Sequence, residues 1–91
     1  MSEIISESQY ITVVELSKLL CVPQAIIVEW IEHEVIYAEH KQDIYYIAAS
    51  DIVRAKSAMR LAYDLGVNAS GISIILQLRE KIQQLEALLN K

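Results

Sequence analysis

The sequence predicts a mainly α fold, a winged helix-turn-helix with a small β-hairpin wing and a C-terminal helix able to pair in a dimer. Three observations carry this expectation. Residues 11–36, ITVVELSKLLCVPQAIIVEWIEHEVI, hold two helically periodic apolar segments separated by a break at Cys21, Val22 and Pro23. Two β-branched and aromatic runs, Val35–Tyr37 and Ile44–Ile47, then flank the polar stretch Glu39–Asp43. Near the C-terminus Ile75, Leu78, Ile82, Leu85 and Leu89 alternate by three and four.

Met1–Gln9 reads as an N-terminal tail, and residues 10–91 as a single helical domain opening on a short strand near Tyr10–Thr12. Thr12 and Glu15 fit a capping box, which starts the first helix at Val13 and carries it to about Leu20. Pro23 presets a helical φ and lacks only an N–H that would have no partner, so the second helix is expected from Pro23 to His33. The two runs around Glu39–Asp43 form the wing, although no Asn-Gly or Asp-Gly marks its turn.

Ser50 can cap a third helix, with Asp51 in its first turn and Gly66 as its stop. Ile52, Ala55, Met59, Ala62 and Tyr63 make the face expected to pack on the first two helices. Asn68 caps the last helix, which reaches to about Asn90. Its stripe Ile75, Leu78, Ile82, Leu85, Leu89 spans about two heptads, so it is read as combining intrachain packing with homodimer formation.

A chain of 91 residues supports one modest core, without room for a deep cleft and a separate cofactor fold. Its high apolar content and formal net charge of −4 mark a globular chain. One cysteine, Cys21, cannot form an intrachain disulfide, and a reducing cytoplasm fits. The acidic start, MSEIISESQ, is no secretory signal, and no apolar run reaches the roughly 18 residues that span a bilayer.

Nothing in the chain points to catalysis, a cofactor or a metal. His33 and His40 lie among carboxylates, yet a structural zinc site needs four ligands at recognisable spacing, and no CxxC or HExxH is present. Cys21 stands at no nucleophile signature and reads as a small buried apolar residue. Gly66 and Gly71 cannot make a phosphate-cradling loop.

Charge is the strongest surface signal. Residues 1–50 carry two basic side chains against eight acidic ones, whereas residues 51–91 carry six against four. Glu29, Glu32, Glu34, Glu39 and Asp43 therefore make either a solvated face or an acidic docking surface for a basic partner. Trp30 and one of Tyr45 or Tyr46 could anchor such a surface, with Trp30 equally placed to be core. Duplex DNA is disfavoured, because the second helix has no Lys or Arg and Gln24 is its one candidate base reader.

The order Thr12-x-x-Glu15-Leu16, Val22, Val35–Ile36, Tyr46, Asp51–Ile52 and Leu65–Gly66–Val67–Asn68 resembles the winged helix-turn-helix of the MerR family. The short chain, the acidic second helix and the Gly71–Ile72 opening of a Leu/Ile-rich last helix look more closely like its chaperone-modulator branch, CbpM. Where MerR regulators carry Thr-Leu-Arg-Tyr-Tyr, this chain has Ile26, Ile27, Val28, Glu29 and Trp30. The resemblance implies a modulator that binds the J-domain of a DnaJ-like or CbpA-like co-chaperone and competes with the DnaK chaperone. Two alternatives stand beside it: a MerR-like transcriptional regulator holding DNA through Arg54, Lys56 and Arg60, and a structural dimer that scaffolds a partner through its last helix.

Overall fold

The computed structural model of the chain describes residues 10–90. In order they form β1 (Tyr10–Thr12), α1 (Val13–Leu20), α2 (Gln24–Glu32), β2 (Ala38–Lys41), β3 (Ile44–Ala48), a 3-10 turn (Ala49–Asp51), α3 (Ile52–Leu65) and α4 (Ala69–Leu89). This is the mainly helical winged helix-turn-helix that the periodicity predicts. The tail assigned to Met1–Gln9 lies outside the described residues.

The capping box at the start of α1 is complete. Glu15 N–H donates to Thr12 Oγ1 at 3.2 Å, and Thr12 N–H donates to Glu15 Oε1 at 2.8 Å. The helix stops because Cys21 turns left-handed at φ 56°, and Val22 N–H returns to Ser17 O at 3.2 Å. Pro23 is the cap of α2 and not its first residue, its carbonyl receiving Ile26 and Ile27 N–H. Cys21 itself is exposed, contrary to the buried place expected of it, since the left-handed cap faces it away from the core.

The wing is shifted along the chain from the expected strands. Val35 and Ile36 are buried core residues in the connection after α2, and the first wing strand begins only at Ala38. Glu39, His40 and Lys41 are therefore strand, and the turn is the two residues Gln42 and Asp43. Both have positive φ, 51° and 65°, as a type I′ turn requires. β3 is central in the order β1-β3-β2, pairing antiparallel with both neighbours. Opposite residues share a face, so Ile11, Ile47 and Ala38 point to the core, while Tyr10, Ala48, Tyr46 and Glu39 lie on the outer face.

Asp51, not Ser50, precedes α3, and its carboxylate accepts Tyr37 N–H at 3.0 Å without capping the helix. Ala55 and Ala58 supply the buried centre of α3, with Ile52, Met59 and Ala62 half-buried beside them. Tyr63 is 58% exposed and leaves the expected packing face. Gly66 closes α3 at φ 69°, and Asn68 caps α4 by accepting Gly71 N–H at 2.8 Å. A Cβ at Gly71 would meet Val67 Cγ1 at 2.8 Å and Asn68 Oδ1 at 3.2 Å, so a larger residue there would have to displace the Val67 side chain or the cap itself.

The core joins Leu16 and Leu20 of α1, Ile27 and Trp30 of α2, Val35, Ile36, Ile47, and Ile72 and Leu76 of α4. Arg54 is buried with them. Its Nε donates to Val35 O, its Nη1 pairs with Glu80, and its guanidinium carbon lies 5.5 Å from the Tyr37 ring. One side chain thus ties α3 to the connection before the wing and to α4.

Candidate functional site

The site is built on α2 and the wing. On α2 the buried residues Ile27 and Trp30 face the core, which leaves Gln24, Ala25, Glu29 and Glu32 exposed. Glu29 and Glu32, three residues apart, sit side by side on one helical face. Between that helix and the wing runs a groove lined by Thr12, Val13, Val14, Gln24, Val28, Asp43, Ile44 and Tyr45. Its position places Asp43, at the wing tip, against the N-terminal half of α2.

The five acidic residues do not form one patch. Glu39 lies on the outer face of the sheet, where Tyr10 Oη donates to it at 3.4 Å and Lys41 Nζ pairs with it at 3.3 Å. The strand alternation causes the separation: Asp43 sits in the turn, while Glu39 falls at an outward position of β2. Glu34 terminates α2 in a Schellman motif. It holds φ 61°, its N–H donates to Ile31 O at 3.1 Å, and Val35 N–H reaches Trp30 O at 2.8 Å.

Trp30 is 1% exposed and is core, which corrects its placement as an interface anchor. A ring closed over on every side cannot meet a partner. The tyrosines divide: Tyr45 stacks on His40 with ring centroids 4.4 Å apart and lines the groove, and Tyr46 lies on the outer face beside Glu39 and Tyr10. Val14 and Ile44, which the sequence places in the first helix and the wing without assigning them to a binding surface, are 44% and 42% exposed at the groove. Their signal was an apolar residue at a position that helical or strand alternation would give to solvent.

Of the three cations that could have served DNA, Arg54 is 7% exposed and already engaged by Val35 and Glu80. Lys56 and Arg60 remain exposed on α3. Among the described residues no group of three His, Cys, Asp or Glu side chains could hold a metal ion, and no helix is long and apolar enough to cross a membrane.

The stripe on α4 is solvent-facing along its length. Ile75 is 37% exposed, and Leu78, Ile82, Leu85 and Leu89 are each more than half exposed. A different set of residues, Ala69, Ile72, Ser73 and Leu76, makes the intrachain packing expected of the stripe.

Residues 11–91 match the family model described as MerR HTH family regulatory protein. No curated protein and no solved structure matches the chain.

Proposed function

The chain belongs to the MerR HTH family of regulatory proteins, and from that premise we propose that it acts as a non-catalytic binding module, inhibiting a DnaJ-like co-chaperone. Its acidic surface covers the basic helix of the J-domain and so competes with the DnaK chaperone for it. The observation that carries this reading is the face that α2 turns outward: Glu29 and Glu32 with no Lys or Arg on the helix. In a helix-turn-helix the second helix is the one presented to the partner, and here it presents carboxylates. Against DNA they would oppose phosphate; against a basic helix they raise the encounter rate and fix its register.

Exposed Leu78, Ile82, Leu85 and Leu89 support a homodimer in which α4 pairs with a second copy. Family membership also favours a second reading, a DNA-binding regulator, for which Lys56 and Arg60 are the remaining cations. Calorimetric titration with the isolated J-domains of the host's DnaJ-like co-chaperones, at low and physiological salt and with duplex DNA in parallel, separates the two. The expected result is saturable J-domain binding that weakens with salt, and about tenfold or greater loss on Glu29→Lys with Glu32→Lys. DNA binding without J-domain binding would sink the modulator and leave the regulator.

A further inference from the structure

We infer that the groove between α2 and the wing takes an apolar side chain of an amphipathic basic helix, so that recognition has an apolar floor as well as an acidic rim. The inference rests on the reading of the acidic surface as a docking face. It goes beyond that reading in naming what the partner must carry between its cations.

The groove's composition supports it. Val13, Val14, Val28, Ile44 and Tyr45 supply its apolar lining, and Thr12, Gln24 and Asp43 its polar lining. Val14 and Ile44 are among the exposed large hydrophobic residues, and neither belongs to the core cluster or packs against it. A groove meant for a sugar-phosphate backbone would present donors here. This one has no Lys or Arg among its lining residues, only the neutral donors of Thr12, Gln24 and Tyr45, and its one ionised residue is the Asp43 carboxylate.

Charge complementarity selects the occupant. From α1 through β3 the chain holds Lys18 and Lys41 against Glu15, Glu29, Glu32, Glu34, Glu39 and Asp43. Lys41 pairs with Glu39 on the outer face, and Glu15 is taken up in capping α1. Glu29, Glu32 and Asp43 have no such local partner among the described residues. Asp43 lines the apolar groove, and Glu29 and Glu32 lie exposed on the helix that supplies its Gln24 and Val28, an arrangement that complements a helix bearing Leu, Ile or Met at one position and Lys or Arg about one turn to either side.

Two helical probe peptides of equal charge, one of Leu and Lys and one of Ala and Lys, test the floor without altering the protein. The full chain should bind the Leu peptide at least about tenfold more tightly, and Val14→Ser with Ile44→Thr should erase that preference while leaving the salt dependence in place. Glu29→Lys with Glu32→Lys should do the reverse, flattening the salt dependence and keeping the preference for Leu. Equal affinity for both peptides overturns the groove while leaving an acidic docking face. A J-domain whose affinity ignores Val14→Ser with Ile44→Thr overturns it equally. Preference for the Leu peptide in a protein that binds no J-domain would uphold the groove and remove the co-chaperone.

Discussion

The helix-turn-helix with its wing and the distal half of α4 solve opposite surface problems. In the first, every large apolar residue of α2 is wholly or partly inside and carboxylates face water. In the second, each residue from Gln77 to Asn90 is exposed, and leucine and isoleucine recur along the helix. One region is finished as a folded unit, with Val14 and Ile44 of the groove among the few large apolar side chains it leaves exposed, and the charge that its α2 turns outward is acidic, a kind of surface whose interactions weaken with salt. The other is unfinished, since a row of exposed aliphatic side chains of that length is stabilised only by another apolar surface. The contrast separates a face suited to a regulated partner from a face suited to a permanent one.

The largest expected effect falls on the finished region. Trp30→Ala should cost about 3–5 kcal/mol, the cost of deleting a fully buried ring, against a total stability of about 5–15 kcal/mol for a domain. Urea denaturation followed by far-ultraviolet circular dichroism reads it directly. A variant that folds with unchanged midpoint yet loses J-domain affinity would return Trp30 to the interface and break the distinction between inside and outside on α2.

How far the sequence foretold this arrangement varies residue by residue. Thr12 with Glu15, Gly66 and Asn68 were legible because capping is local chemistry, decided within one turn. Val35 and Ile36 were misread as wing strand because a buried connection and a buried strand share the same β-branched composition, and only tertiary packing tells them apart. The turn at Gln42 and Asp43 carried no glycine to announce it. Arg54 read as a surface cation, yet it lies on the buried stripe of α3, one turn before Ala58, with Glu80 as its counter-charge. A partner 26 residues away leaves no mark in the local pattern. The acidic residues were all visible as charges, but the place of Glu39 on the outer face of the sheet, apart from Asp43 in the turn, required the strand register.

A smaller effect on folding, though a complete one on association, is expected in the unfinished region. Ile82→Glu with Leu85→Glu places charges on a stripe that has no intrachain partner in its distal half, so sedimentation should change from dimer to monomer. Trp30 fluorescence should stay native, since surface substitutions away from the core cost within about 0.5 kcal/mol. Loss of the Trp30 signal together with the dimer would mean that the two regions form one cooperative unit, and the comparison would have to be redrawn.

The smallest effect tests the seam between shape and charge at Glu34. A glutamate held at φ 61° carries a left-handed penalty that glycine avoids, partly offset by the greater freedom glycine has when unfolded. Glu34→Gly should therefore stabilise the domain by about 0.5–1 kcal/mol, raising the urea midpoint without changing its slope. Glu34→Asn, which tolerates the same conformation and also removes the charge, should fall between the two. If the carboxylate helps to hold a basic helix, both variants lose affinity for the J-domain while their stabilities rise in different amounts. A destabilised Glu34→Gly would show that the glutamate side chain supports the fold, and its loss of affinity could then no longer be assigned to charge.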